Sequence, residues 1–212
     1  MYMEIEIYAL VYQLAAMNKK NLYSTLNYAN FITLCRIFCL PFMVYIYETN
    51  SIDSVKKSVL LTSLFIILAF TDWLDGYIAR KYGLQSAFGA FLDPVADKIM
   101  IVVSLLIVLD MGLIRYWIAL IIVLRELIIS ALREWMARLG SHEKVSVKYI
   151  GKLKTTAQML AIPMLLFAPV LENFNLYYYN IWKSLASYGI YIAVALTIIS
   201  MLVYLKDAIN KI

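Results

Sequence analysis

The sequence predicts an all-helical integral membrane protein with about six transmembrane helices. Hydrophobic residues make up 63% of the 212 positions and charged residues only 16%, whereas soluble domains carry about 25% charged residues. Several apolar runs approach the length of about 20 residues that a membrane helix needs. These runs are too long for the strands of a membrane barrel, and a chain in lipid must satisfy its backbone internally, so they indicate helices.

Six spans follow from the apolar runs and the polar segments between them. Their predicted ranges are 26–47, 58–80, 88–113, 116–137, 155–170 and 184–204. Polar loops at 48–57 and 138–154 end the first and fourth spans. The connection at 81–87 is so short that it predicts the second and third spans to be antiparallel neighbours. The aromatic stretch at 177–182 is typical of a membrane–water interface before the last span.

The chain divides into two segments by this pattern. We expect residues 1–25 to be an N-terminal extension or interfacial segment, and residues 26–212 to be one transmembrane domain. The first sixteen residues are apolar but include Glu4 and Glu6. They also lack the basic start of a signal peptide.

The basic residues predict that both termini lie in the cytoplasm. With the N-terminus inside, twelve basic residues fall on inner segments and four on outer segments, and cytoplasmic segments carry the excess of Lys and Arg. The inner residues are Lys19, Lys20, Arg80, Lys81, Arg133, Arg138, Lys144, Lys148, Lys152, Lys154, Lys206 and Lys211, and the outer ones are Lys56, Lys57, Arg115 and Lys183. This bias predicts a multi-pass protein of the cell (inner) membrane, surrounded by membrane lipids, and gives no indication of a nucleic-acid partner.

Four aspartates stand where the second span ends and the third begins. Asp72 and Asp75 are three residues apart, and Asp93 and Asp97 are four apart, so each pair lies on one face of its helix. A charged side chain in a membrane helix costs about 2.5–3.5 kcal/mol on insertion scales, so these acids need a compensating cation. Carboxylate oxygens suit hard divalent ions. The sequence therefore predicts a Mg²⁺ or Mn²⁺ site formed by these four residues.

Two other interpretations of the acids compete with the metal site. The first is a solvated loop with scattered acids, which their helical spacing disfavours. The second is a cation transporter or channel, whose ion path would place acids near the bilayer midplane. Here the acids cluster at one face beside Arg80 and two glycines, which favours an anionic ligand bound together with a metal.

The acids belong to a longer pattern, D-x-x-D-G-x-x-A-R, followed after eight residues by G-x-x-x-D-x-x-x-D. This pattern resembles the signature of the CDP-alcohol phosphatidyltransferase family. All eight fixed positions are present, namely Asp72, Asp75, Gly76, Ala79, Arg80, Gly89, Asp93 and Asp97. The resemblance implies a membrane enzyme that transfers the phosphatidyl group of a CDP-activated lipid to an alcohol and releases CMP.

The family resemblance also implies roles for individual residues. Asp72, Asp75, Asp93 and Asp97 would bind two divalent ions, and Asp97 would also be the base that takes the proton of the acceptor alcohol. The CDP-lipid would be bound by Asn30, Thr33, Gly76, Ala79, Arg80 and Gly89. Family members are commonly homodimers, so a homodimer is expected.

Other stretches, which start at Asn30, Arg125 and Gly151, resemble bacterial family members that use glycerol-3-phosphate as the acceptor. This resemblance implies CDP-diacylglycerol and glycerol-3-phosphate as substrates. A phosphate with close to two negative charges needs several cations, preferably forked arginines. The candidates for binding it are Arg36, Arg125, Arg133, Lys152 and Lys154.

The sequence leaves several alternatives open. Inositol phosphate, serine or phosphatidylglycerol would suit the same acidic motif as acceptors. Arg36 would otherwise snorkel to the cytoplasmic interface. Arg125 would otherwise pair with a glutamate inside the helix bundle, and the loop lysines would then only mark the inner face.

Overall fold

The protein folds into six α-helices with no strand in the ranges that the computed structural model describes, which are residues 28–82, 87–138 and 148–209. The helices are α1 (Tyr28–Glu48), α2 (Ser54–Tyr82), α3 (Ala87–Asp110), α4 (Tyr116–Arg138), α5 (Lys148–Phe174) and α6 (Leu176–Ile209). The predicted all-helical membrane fold is confirmed. The segment predicted as an N-terminal extension, 1–25, lies outside the described residues.

Three helices are long and apolar enough to cross a membrane, judged on the residues that the structure describes. The spans are Ser54–Leu74, Leu153–Phe174 and Leu176–Lys206. The other three helices have 21, 24 and 23 residues, which corresponds to about 30–36 Å and matches the hydrocarbon core of a bilayer. Buried charged side chains occur in both sets of helices, namely Arg36 in α1, Arg125 in α4 and Lys154 in α5.

Two helix starts differ from the predicted ranges because polar residues cap them. The Asp53 carboxylate accepts a hydrogen bond from the Val55 backbone N–H at 3.2 Å, so α2 begins before the apolar run. The Asn175 side chain accepts from the Tyr177 N–H at 2.9 Å in the same way. Such side chains satisfy backbone donors that a helix start leaves unpaired. The aromatic stretch 177–182 therefore belongs to the first turns of α6.

The helices pack so that α1 lies against both α2 and α3. Helices α5 and α6 form the most extensive pair, α2 packs on α5, and α4 packs on α6 and α3. Over the described residues, the contacts of α2 and α3 are with α1 far more than with each other. The expected neighbouring of the second and third spans is seen at their acidic residues, where Asp97 of α3 lies against Asp72 of α2. Elsewhere in the described ranges, α1 supplies the surface that both helices bury.

The interior between these helices is closely packed and apolar. Its fully buried members include Leu61 and Phe65 of α2, Leu105 of α3, and Leu165 and Leu166 of α5. Helices α5 and α6 approach closely where Gly189 faces Ala161. A Cβ added at Gly189 would lie 3.2 Å from the Ala161 Cβ. Small residues at such positions allow membrane helices to pack closely.

Replacing Gly189 with leucine is expected to destabilise the protein by about 1–3 kcal/mol, because the side chain overpacks the contact with α5. Thermal unfolding of the purified protein in one detergent would measure the change. Ala195→Leu is the matched control, since Ala195 lies on the exposed side of the same helix. Equal unfolding temperatures for the two variants would contradict the proposed close approach.

Candidate active site

A buried arginine of α1 joins the acidic residues of α2 and α3. Arg36 is 1% exposed, and its Nη1 donates to Oδ1 of Asp72 at 2.5 Å. The same nitrogen lies 3.5 Å from Oδ1 of Asp97. One guanidinium therefore offsets the charge of a carboxylate from each of two helices. Such pairing is what a buried charge in a membrane helix requires.

Thr33 holds a third acid against the same helix. Its Oγ1 donates to Oδ1 of Asp93 at 2.8 Å. Thr33 and Arg36 are three residues apart, so they share one face of α1. The Asp97 carboxyl also faces the carboxyls of Asp72 and Asp93. Three of the four predicted metal ligands thus gather around α1, and they are called the acidic group below.

The donors of the acidic group are all carboxylate oxygens, the type of ligand that hard divalent cations prefer. No three Asp, Glu, His or Cys side chains lie close enough to hold one ion among those that the structure describes, and the side chain of Asp75 is not among them. Oδ1 of Asp97 is buried, and it accepts no hydrogen bond from the described residues. A buried carboxylate oxygen with unused acceptor capacity, in an all-oxygen donor set, suits Mg²⁺ or Mn²⁺.

The residues predicted to bind the CDP-lipid are placed in part. Thr33 is buried against the acidic group, as described above. Gly89 is buried and Gly76 is half-buried, and both lie on the helix ends that carry the acids. The side chains of the remaining predicted residues lie outside the described part of the structure, namely Asn30, Ala79 and Arg80.

An aromatic stripe lines the exposed side of α2 next to Asp72. The rings of Phe70 and Trp73 have centroids 5.8 Å apart, and those of Trp73 and Tyr77 are 6.0 Å apart. All three side chains are exposed. Aromatic rings suit the boundary between lipid and water. The acidic group is therefore flanked by a surface that a lipid substrate can approach.

A second polar cluster lies inside the bundle, where α4, α5 and α6 meet. Arg125 is 4% exposed, and its Nη1 donates to Oε1 of Glu126 at 3.1 Å. Lys154 is also buried, and its Nζ donates to the same oxygen. The Nη2 of Arg125 donates to Oγ of Ser200 in α6 at 2.8 Å. Arg125 and Lys154, called the cation pair below, thus meet on one carboxylate.

The two polar regions are linked through one turn of α3. Lys98 follows Asp97 directly in the chain, and its Nζ donates to Oγ of Ser130 at 2.5 Å. Ser130 in turn donates to the backbone oxygen of Glu126 at 2.5 Å. In this turn of α3, Asp97 therefore belongs to the acidic group, and Lys98 contacts Ser130 beside the second polar cluster.

The predicted acceptor-binding residues do not all meet in one place. The described contacts of Arg36 are with acids of α2 and α3, whereas Arg125 and Lys154 meet on Glu126. The side chains of Arg133 and Lys152 lie outside the described part of the structure. The alternative in which Arg125 pairs with a glutamate inside the bundle is the pairing observed here.

Sequence reasoning missed four polar residues of this cluster: Lys98, Glu126, Ser130 and Ser200. Lys98 and Glu126 each follow a predicted site residue directly and stand beside apolar runs, which was a usable signal. The sequence contained no such signal for the two serines, because serine is common in membrane helices and its hydroxyl often hydrogen-bonds to the backbone of its own helix.

A separate cavity of about 920 Å³ lies at the opposite ends of α1 and α3 from the acids. Its lining includes Tyr47, Asp110, Arg115 and Trp117. The Tyr47 hydroxyl donates to Oδ2 of Asp110 at 2.5 Å. Because Thr33, Arg36 and the acids lie at the other end of these helices, this cavity is distinct from the acidic group.

Comparison with known proteins agrees with the motif. A family model of CDP-alcohol phosphatidyltransferases matches residues 26–202. The CDP-diacylglycerol–glycerol-3-phosphate 3-phosphatidyltransferase of Haemophilus influenzae is 44% identical over 186 residues, which cover 86% of this chain and 93% of that protein. The enzymes of the same name from Salmonella typhimurium and Escherichia coli K12 are each 40% identical, over 86% of this chain and 94% of theirs. The chain therefore belongs to the CDP-alcohol phosphatidyltransferase family.

Proposed function

We propose that this protein transfers the phosphatidyl group of CDP-diacylglycerol to sn-glycerol-3-phosphate, giving phosphatidylglycerophosphate and CMP. The observation that carries this proposal is the identity of 40–44% to enzymes named for this reaction, over 86% of the chain. The geometry supports it with two neighbouring polar regions. One offers carboxylates for a metal-bound pyrophosphate, and the other offers buried cations for a phosphorylated alcohol.

The proposed metal ligands are Asp72, Asp75, Asp93 and Asp97. When bound, a pair of Mg²⁺ (or Mn²⁺) ions would neutralise the charge that builds up on the pyrophosphate and the leaving CMP. Arg36 holds Asp72 near Asp97, so the acids are oriented before substrate arrives. This orientation is the contribution of the chain itself, because phosphoryl transfer depends mainly on positioning and charge stabilisation.

Asp97 is the proposed catalytic base. Its carboxylate takes the proton of the acceptor hydroxyl as that oxygen forms a bond to the lipid-side phosphorus. The bond from this phosphorus to the bridging oxygen breaks, and CMP leaves with the electron pair. The unused acceptor capacity of Oδ1 of Asp97 supports this role, since a base needs a lone pair directed at the hydroxyl.

The CDP-lipid is proposed to lie between the acid-bearing ends of α2 and α3. Asn30, Thr33, Gly76, Ala79, Arg80 and Gly89 would surround the nucleotide portion. The glycines remove side chains where a ligand must come close. The aromatic stripe of α2 borders this region on its exposed side, which would let the acyl chains remain in the bilayer.

The cation pair is proposed to bind the phosphate of glycerol-3-phosphate, with Arg133, Lys152 and Arg36 as further candidates. Two buried cations in a membrane interior require anions, and the described contacts bring both cations to the same Glu126 oxygen. A phosphorylated acceptor would bring further anionic oxygens to these cations, whereas serine carries no phosphate.

The surroundings of the enzyme follow from the charge pattern and the family. We propose a multi-pass protein of the inner membrane, with both termini and the acidic group facing the cytoplasm, where glycerol-3-phosphate is available. The twelve inner and four outer basic residues support this orientation. A homodimer embedded among membrane lipids is the proposed assembly.

Purified protein in detergent is expected to release CMP from CDP-diacylglycerol only when both glycerol-3-phosphate and Mg²⁺ are present. Asp97→Asn should lower this rate by about a hundredfold or more, because the acceptor loses its general base. Asp110→Asn is the matched control, since Asp110 lies at the far, exposed end of the same helix. If inositol phosphate, serine or phosphatidylglycerol drives CMP release instead, the protein is a member of the family that uses a different acceptor, and the proposed acceptor is wrong.

Arg125→Ala is expected to raise the KM for glycerol-3-phosphate by about ten- to a hundredfold, because a charge-assisted contact to phosphate is lost. The KM for CDP-diacylglycerol should change little. Steady-state CMP release at varied acceptor concentration would measure both values. Arg115→Ala removes an exposed arginine at the opposite end of the bundle and should leave both unchanged. An unchanged KM for glycerol-3-phosphate in Arg125→Ala would show that Arg125 does not bind the acceptor.

A further inference from the structure

The carboxylate of Glu126 stands where the acceptor phosphate is proposed to bind. Its Oε1 accepts from Arg125 at 3.1 Å and also from Lys154. One oxygen atom therefore engages both members of the cation pair. None of the roles assigned above uses this side chain, although it is the partner that both cations share.

Two buried hydrogen-bond donors in this region have no acceptor among the described residues. Nε of Arg125 and Nε2 of Gln158 are both buried and donate to no acceptor within the described ranges. Gln158 is 2% exposed and lies one helical turn from Lys154 on α5. Buried donors are nearly always paired in folded proteins. The donors on α4 and α5 together indicate a ligand with several acceptor oxygens.

The Glu126 side chain is more accessible than the two cations that it contacts. Its side chain is 21% exposed, whereas Arg125 and Lys154 are almost fully buried. The cations are held by the bundle and by Ser200, while the carboxylate lies toward the accessible side of the cluster. An arriving anion would therefore displace the glutamate and leave the cations in place.

We propose that Glu126 is an internal counter-anion that occupies the cation pair in the empty enzyme and gives way to the phosphate of the acceptor. This inference rests on the proposed function of the cation pair. It makes Glu126 a specificity-determining residue, because an incoming group must compete with a carboxylate that is already in contact. A phosphate dianion carries more charge and more oxygens than a carboxylate, so it wins this competition, whereas an uncharged or singly charged acceptor does not.

The test is the isosteric variant Glu126→Gln, assayed by CMP release at varied glycerol-3-phosphate. The amide keeps a hydrogen-bond acceptor but loses the charge that competes with phosphate. We expect the KM for glycerol-3-phosphate to fall by about three- to tenfold, since one nearby like charge is removed. The KM for CDP-diacylglycerol should stay the same. Glu172→Gln, at the exposed far end of α5, is the matched control and should leave both constants unchanged.

A KM for glycerol-3-phosphate that rises or does not change would overturn the proposal, because Glu126 would then only position the cations or stabilise the fold. If Glu126→Gln does not fold, Glu126→Asp replaces it. The shorter side chain keeps its charge but reaches the cations less well, so its KM should also fall, by a smaller factor. A raised or unaltered KM in that variant counts against the proposal equally.

A binding measurement separates this inference from the proposed function. Inorganic phosphate should raise the unfolding temperature of Glu126→Gln at a lower concentration than it does for the unsubstituted protein. If glycerol-3-phosphate drives no CMP release but this difference is seen, the proposed function fails and the counter-anion role stands. If release is normal and phosphate acts equally on both proteins, the counter-anion role fails alone.

Discussion

The pairing of Arg36 with Asp72 and Asp97 is the interaction on which the rest of the structure depends. It places a buried cation between two helices that carry acids inside a membrane protein. Without a cation, the acids would repel each other and would be costly at membrane depth. Without the acids, a guanidinium that is almost fully buried would have lost its main charge partners. Helix α1 is therefore fixed between α2 and α3 by charge as well as by apolar packing.

This arrangement also explains how two kinds of anionic substrate could be handled side by side. The face of α1 that bears Thr33 and Arg36 orients the acidic group, where a metal-bound pyrophosphate is proposed to lie. One turn of α3 then leads through Lys98 and Ser130 to Glu126 and the cation pair. The lipid donor and the phosphorylated acceptor are thus proposed to bind in separate charged regions that both contact helix α3.

The sequence was most informative where charge and spacing coincide. The apolar runs predicted the helices, because a chain in lipid has few other ways to satisfy its backbone. The spacing of Asp93 and Asp97 predicted a shared helix face, and both acids lie at α1 in the structure. Arg36 was predicted to bind the acceptor phosphate or to snorkel to the interface, whereas in the structure it is buried and pairs with Asp72.

The hydrogen-bond and ion-pair partners on different helices could not be predicted from the sequence, because they depend on which helices are neighbours. A short connection predicted that α2 and α3 are neighbours, but it did not predict that α1 packs against both of them. The pairing of Lys154 with Glu126 joins residues 28 positions apart, and that of Arg125 with Ser200 joins residues 75 apart. Local periodicity places each of these residues on a helix face but does not say which other face it meets.

The most direct test of this account is a double-mutant cycle on Arg36 and Asp72, measured as unfolding free energy in detergent with a metal chelator present. Arg36→Met should cost about 3 kcal/mol, because it leaves acids without their cation. Asp72→Asn should cost less, since Asp97 remains near Arg36. The double variant should lose about 1–3 kcal/mol less than the two single losses combined, since each change removes the partner that the other leaves unpaired. Strictly additive losses would contradict the account, because they would mean that Arg36 does not hold the acidic helices together.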